Sequence, residues 1–364
     1  MHHNIFNCIQ FFTYSMLTGK LEKILHLYGL YFSRLINYPL IKPNTITLTL
    51  TSKCNLRCIM CDHWRSKDID ELNTGEWKGI IDQIAEWGIR EVDISGGEPF
   101  VRKEAFEIIE YLTQKNIGIN ITTNFTLLNK KDIEHLFETS TTRLQVSIDG
   151  IGKTHDEIRG KSGTFDKVMK NVEHFNTIKS KKKSKMQLNV TTVIMNKNLS
   201  KIVDLYNWAK ENNFSSITYQ PVVDSNLDIK RRDKINPLKI QIDHLPIMEK
   251  QIDKLINIRK KDFFIGNTVK HLKTIKKYFK NEPFPEVKCY AGFLVGIISP
   301  NGNMWSCMGD FANLRKQKVK EAWFSAAARR KRKLIKKCAN PCLYPCYLET
   351  DADSIFEATL RIIK

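Results

Sequence analysis

The 364-residue chain has no apolar run close to the length that crosses a bilayer, roughly 20 residues. A membrane-spanning helix is therefore not expected. Its first residues lack the charged segment, apolar block and small-residue cleavage site of a secretory signal, so export is not expected and a cytoplasmic location is. This excludes a disulfide scaffold: nine cysteines in a large unexported chain point to metal or redox chemistry. Acidic residues are also scarce, 39 Asp and Glu against 58 Lys and Arg, for a net charge of +19. Such an excess is compatible with a nucleic-acid partner. Much of it, however, sits in KSKKKSK (179–185) and RRKRKLIKK (329–337). The first is expected as a loop between a helix and a strand. The second is expected to continue a helix that starts near Glu321, and both read as solvated faces. Cysteine is absent between Cys61 and Cys289, so the thiols fall into two groups. Cys54, Cys58 and Cys61 form one, and Cys289, Cys307, Cys338, Cys342 and Cys346 the other. Cys8 stands apart as a small buried hydrophobe.

Residues 1–42 carry Leu17, Leu21, Ile24, Tyr28, Phe32, Leu35 and Ile36 at helical spacing. The expected role of this amphipathic segment is packing across the domain that follows. Its aromatic and basic content is also compatible with a peripheral membrane contact, and Pro39 and Pro43 end it. From Thr45 the pattern alternates. Strands are expected at 46–52, 90–97, 117–124, 143–150, 186–194 and 215–222, and helices at 76–88, 102–116, near 130–139, 164–180 and 200–213. Alternation of this kind means parallel strands with right-handed crossovers. The expected fold is α/β, a partial (β/α)6 barrel rather than a closed eight-fold one. The division expected is a helical segment (1–42), the barrel (43–235), a helical connector (236–285) and a small cysteine-rich domain (286–364).

Chemistry in parallel α/β folds collects at the carboxyl ends of the strands. The cysteine triplet follows the first strand, SGGEP (95–99) the second, TTN (122–124) the third and SIDG (147–150) the fourth. Thiolates are the soft ligands of iron–sulfur clusters. Three of them on a C-x3-C-x2-C loop leave one iron of a four-iron cube open to another ligand. The plainer alternative is a zinc loop completed by His63. In SGGEP, Gly96 and Gly97 allow close backbone approach, and Glu98 offers a carboxylate to an ammonium group. Alone, the same residues would be a tight turn with a surface glutamate.

Together, CNLRCIMC (54–61) and GGEP (96–99) resemble the radical S-adenosylmethionine (SAM) superfamily over residues ~45–222. The resemblance implies a 4Fe–4S cluster on Cys54, Cys58 and Cys61, with SAM chelating the open iron. It implies contacts from Gly96, Gly97 and Glu98 to the methionyl amine, and from Asn124, Ser147 and Asp149 to the ribose and methionine portions. Met60 stands where the family often has an aromatic residue near adenine. The implied chemistry is reductive cleavage of SAM to a 5′-deoxyadenosyl radical, which abstracts a hydrogen atom from substrate.

Cys289-x12-Gly302-x4-Cys307, KVKEAWFS (318–325) and CANPCLYPCYLE (338–349) resemble a SPASM or twitch extension. HDEIRG (155–160) and GTF (163–165) resemble SPASM-type radical SAM enzymes. Five cysteines here, against seven in a full SPASM domain, imply one auxiliary 4Fe–4S cluster on Cys289, Cys307 and two of Cys338, Cys342 and Cys346. A zinc knuckle is the alternative. Asp310, just after Cys307, is a candidate general base, or simply a turn aspartate.

The expected function is a radical SAM oxidoreductase or modifying enzyme acting on a small molecule or a peptide. A one-electron donor such as flavodoxin or ferredoxin is implied. A peptide maturase working with a separate partner is the alternative, since residues 1–42 are too short and helical for a peptide-recognition module. A zinc-dependent nucleic-acid-binding protein is the rival outside enzymes, and GGEP and the strand–helix repetition argue against it.

Overall fold

The computed structural model describes residues 20–65, 70–223, 235–338, 342–345 and 348. Cys8, Leu17 and Cys346 lie outside the described residues. The chain opens with α1 (Lys20–Ile36), then alternates β1 (Thr45–Thr49), α2 (Thr74–Glu86), β2 (Glu91–Ser95), α3 (Ala105–Gln114), β3 (Gly118–Thr123), α4 (Lys130–Leu136) and β4 (Thr141–Ser147). Two helices, α5 (Lys153–Arg159) and α6 (Thr164–Lys181), precede β5 (Gln187–Ile194), followed by α7 (Ile202–Glu211) and β6 (Ser216–Pro221). Two more, α8 (Leu245–Arg259) and α9 (Val269–Phe279), lead to β7 (Val295–Ile298), β8 (Asn303–Ser306) and β9 (Gly309–Asn313). α10 (Val319–Phe324) and α11 (Ala326–Lys336) complete the described elements.

The strands form one sheet in the order β6-β5-β4-β3-β2-β1-β7-β8-β9. β1 to β7 pair in parallel; β8 and β9 add an antiparallel hairpin. The sheet does not close. The six parallel units are the expected partial barrel. β7 lies beyond the expected boundary at 286, yet pairs in parallel with β1, Thr45 opposite Val295. The cysteine-rich segment thus extends the barrel sheet.

Residues alternate between the two faces of each strand. Ile46, Leu48, Val92, Ile94, Ile119, Ile121, Leu144 and Val146 are fully buried in the main core with the helices. Each such side chain contributes roughly 1.5–3 kcal/mol. The alternating positions carry polar residues, among them Glu91, Asp93, Asn120, Arg143 and Gln145, with Asn189 on β5. Asn120 Nδ2 donates to Asp93 Oδ1 at 3.0 Å and also to Glu91, and Arg143 Nε donates to Gln187 Oε1 at 3.1 Å. Burial pushes the Asp93 carboxyl up to about 8. Capping boxes start α2 and α4, Asn73 with Glu76 and Asn129 with Asp132.

Three expectations change. α1 does pack on the sheet, but through Leu27 and Leu30, which meet Tyr290, Phe293, Leu294, Val295 and Ile297. Phe32, Leu35 and Ile36, read as part of its packing face, are exposed. The basic tract 329–337 does not continue a helix from Glu321. Ser325 breaks the run with ψ of 155°, and its hydroxyl accepts from the Ala328 amide at 3.1 Å to start α11. The tract KSKKKSK is only partly a loop, because α6 runs to Lys181.

Candidate active site: two groups of cysteines

The loop after β1 carries Cys54, Cys58 and Cys61, all half-buried, and it is fixed from several sides. Glu71 accepts from the Thr51 hydroxyl, the Ser52 amide and the Ser52 hydroxyl at 2.9, 2.9 and 3.0 Å. The second motif lies directly beneath: Gly97 N donates to Thr51 O and Glu98 N to Lys53 O, both at 2.9 Å. The glycines are required there. Cβ atoms at Gly96 and Gly97 would lie 2.5 Å from Thr51 O and 2.3 Å from Lys53 O. Farther along, the amides of Arg57 and Ile59 donate to Arg159 O and Ile158 O at 3.1 and 3.0 Å. Gly160, at φ +69°, ends α5 against the loop, where a Cβ would sit 2.3 Å from Arg57 O. Asn55 joins the end of β3, accepting from Asn124 Nδ2 at 2.8 Å and donating to Thr126 Oγ1 at 2.9 Å.

Glu98 is almost fully buried and already engaged. Its carboxylate accepts from Thr123 Oγ1 at 2.8 Å, Asn124 N at 2.7 Å and Phe100 N at 3.4 Å. Burial pushes its pKa up to about 7, against these hydrogen bonds and the nearby Arg159 charge. It knits β2 to β3. Asp149 is likewise committed. It pairs with Arg159 at 2.7 Å and accepts from Val193 N at 2.8 Å. Asn124 has its side-chain oxygen on Thr126 and its amide on Asn55. Ser147 remains half-buried at the end of β4. Met60 packs in the main core.

Arg159 was not singled out from sequence, although HDEIRG contains it. Its guanidinium is buried, held by Asp149, and reaches Cys58 Sγ at 3.8 Å. His155, one helical turn earlier, accepts from Asp149 N at 3.3 Å, and burial holds its pKa well below the usual value. Asp156 accepts from the amides of Gly163 and Phe165 at 2.7 and 2.8 Å, which explains GTF. The motif therefore docks α5 and α6 and aims one cation at the thiols. Glu71 and Asn55 had no sequence signal of their own.

Burial raises Cys54, and pushes Cys61 up to about 12, with the neighbouring cysteines adding to both shifts. Thiols so placed become thiolates when a metal supplies positive charge. Among the described residues, no three His, Cys, Asp or Glu side chains converge as a single ion requires. The three sulfurs sense one another's charge, and three soft thiolates on one loop are ligands of the kind iron–sulfur clusters take. The donor set fits an iron–sulfur group.

The second group gathers from separate segments. Cys289 is buried before β7, Cys307 is exposed in the β8–β9 turn, and Cys338 and Cys342 follow α11. Burial raises Cys289, and the thiols of Cys342, Cys307 and Cys338 add to the shift. Cys342 is pushed up to about 11 for the same reasons. These four are the described neighbours. Asp310, on β9, is exposed and accepts from Asn303 Nδ2 at 2.6 Å.

The arrangement is a parallel, unclosed α/β barrel with a three-thiol loop at the carboxyl end of its first strand, bonded to the Gly-Gly-Glu segment after its second. Residues 48–209 match the Radical SAM superfamily. It is similar to the AdoMet-dependent heme synthase of Methanosarcina barkeri, 34% identical over 46% of this chain and 48% of that protein. It is also similar to the sporulation killing factor maturation protein SkfB of Bacillus subtilis, 28% identical over 53% of this chain and 44% of that protein. In fold it resembles Streptococcus suis SuiB, solved with its precursor peptide SuiA, with a TM-score of 0.63, 17% identity and coverage of 82% of this chain and 68% of that one. The chain spans less than half the length of the curated relatives named here.

Proposed function

We propose that the protein is a radical SAM enzyme that modifies a peptide, or a small molecule, by hydrogen-atom abstraction, assisted by an auxiliary iron–sulfur cluster. The observation that carries this reading is the anchored thiol loop facing the buried Arg159. Cys54, Cys58 and Cys61 would hold a 4Fe–4S cluster, which when bound with SAM supplies the electron that splits the sulfonium and yields a 5′-deoxyadenosyl radical. Arg159 places a fixed positive charge beside Cys58 and lowers the cost of burying thiolates. Asp149 holds that guanidinium, and His155 ties α5 to the Asp149 backbone. Glu98 orders the Gly96–Gly97 backbone and the β3 end, and Ser147 closes the same rim. Gly96, Gly97, Glu98, Asn124, Ser147 and Asp149 are the proposed SAM contacts, with Met60 beside them on the loop.

Cys289, Cys307, Cys338 and Cys342 are the proposed auxiliary ligands, with Cys346 a further candidate. Asp310 is the proposed proton acceptor, competing with its bond to Asn303; unchanged turnover in D310A would retire that role. The peptide substrate is favoured because SuiB is solved with its precursor peptide SuiA and SkfB is described as a maturation protein. A flavodoxin- or ferredoxin-type donor and a cytoplasmic location complete the reading.

The test is anaerobic reconstitution followed by reduction with SAM. The wild type is expected to release 5′-deoxyadenosine, and the C54A/C58A/C61A variant none above background. Continued release by that variant would falsify the assignment of the loop.

A further inference from the structure

Six of the eleven exposed large hydrophobic side chains among the described residues fall between Leu25 and Leu40. Single exposed apolar residues are ordinary on a soluble protein, but a concentration of them marks an interaction surface. On a period of about 3.6 residues, Leu25, Phe32, Leu35 and Ile36 share one stripe of α1. They are 61%, 43%, 56% and 48% exposed. This stripe lies away from Leu27 and Leu30, which hold α1 to the sheet. Tyr38 and Leu40 extend it at 39% and 55% exposure.

The stripe adjoins a strongly basic helix. Lys336 Nζ donates to Leu35 O at 2.9 Å, Asn37 Nδ2 donates to Arg329 O at 3.1 Å, and the rings of Tyr38 and Phe324 lie 5.9 Å apart. α11 turns Arg329, Arg330 and Lys333 outward, Lys337 follows at its end, and Leu334 stands among them at 50% exposure. The sequence from Ala322 to Leu348 contains no Asp or Glu. Among the described residues, no carboxylate pairs with any of these four cations.

We propose that the outer stripe of α1 and the basic face of α11 form one surface that docks the protein peripherally on an anionic lipid bilayer. A polyanion such as nucleic acid would neutralise α11 but leave the α1 stripe in water. An anionic bilayer interface satisfies both halves, taking apolar side chains below the headgroups and cations among the phosphates. No described helix is long and apolar enough to cross a membrane, and α1 keeps its Leu27–Leu30 face on the protein. The attachment is therefore interfacial. It does not depend on the reaction proposed above.

The test is flotation of the full-length, anaerobically reconstituted protein with phosphatidylcholine vesicles, with and without phosphatidylglycerol. The protein is expected to float with the anionic vesicles, to be left behind by the neutral ones, and to be released by high salt. R329Q/R330Q should weaken partitioning about twenty-five-fold, at about fivefold for each cation near the surface. F32S/L35S should also weaken it, whereas I242S, at the 86%-exposed Ile242 elsewhere, should not. Absence of flotation, or flotation that all variants retain equally, overturns the proposal. So does a dimer-to-monomer shift in F32S/L35S without any vesicle binding, which would assign the stripe to a second copy. Binding to DNA or polyglutamate through the same residues, with none to vesicles, overturns it as well.

Discussion

The two cysteine groups are built in opposite ways. Cys54, Cys58 and Cys61 lie on one short loop whose backbone and flanking side chains are tied to Glu71, to Gly97 and Glu98, to the end of α5 and to Asn124. Cys289, Cys307, Cys338 and Cys342 come from a pre-strand segment, a hairpin turn and the chain beyond α11. One bond ties the residue after Cys342 to α9: His271 Nε2 lies 3.0 Å from Leu343 O. Local loops are cheap to close and distant ones cost more chain entropy. The first site is thus shaped by its own neighbourhood before any metal arrives, whereas the second depends on how α11 and the following segment pack.

This contrast predicts a hierarchy of effects. The largest belongs to C307A. It should leave uncoupled release of 5′-deoxyadenosine within about twofold of wild type but reduce substrate-derived product by at least about tenfold, a barrier difference of about 1.4 kcal/mol. Equal loss of both readouts would show that the two groups are not separable. Next is G97A, which pushes a methyl toward Lys53 O at 2.3 Å. It should destabilise the fold by about 1–3 kcal/mol in urea unfolding and lower iron loading at the first site only. Loss of iron at both sites would break the distinction. An effect that should leave both cysteine groups untouched comes from Asp93, inside the barrel and bonded to neither group. Its carboxyl titrates about 8 in the fold against 3.8 when exposed, so between these values the folded chain holds a proton that the unfolded chain has lost. Stability should therefore fall as pH rises from about 4 to 8, by at most about 1.4 kcal/mol per pH unit. D93N should flatten that slope, and an unchanged slope would move the pH dependence to other groups.

The strand–helix alternation was legible because period and turn chemistry are local. β2, expected at 90–97, runs Glu91–Ser95, and β5, expected at 186–194, runs Gln187–Ile194. The hairpin β8–β9 was not read, because four- and five-residue strands carry too little period. α5 was missed for a similar reason, being seven residues between two glycines. The α1 stripe was recognised as apolar, but its side was assigned inward, since periodicity fixes a face without saying what the face meets. The commitments of Glu98 and Asp149 were also hidden, because their partners lie on other strands.

The sequence by itself determined the class of fold, the cysteine loop at a strand end and the glycine pair beside it, since spacing, turn residues and ligand softness act over a few residues. Only the tertiary structure decided that Arg159 faces Cys58, that Glu98 bonds to the end of β3, that the Cys307, Cys338 and Cys342 thiols lie near enough to raise Cys289, and that an apolar stripe stands beside a basic helix whose outward cations have no carboxylate partner among the described residues. Those outcomes are set by which distant surfaces are buried together, a quantity of packing that no local pattern of residues contains.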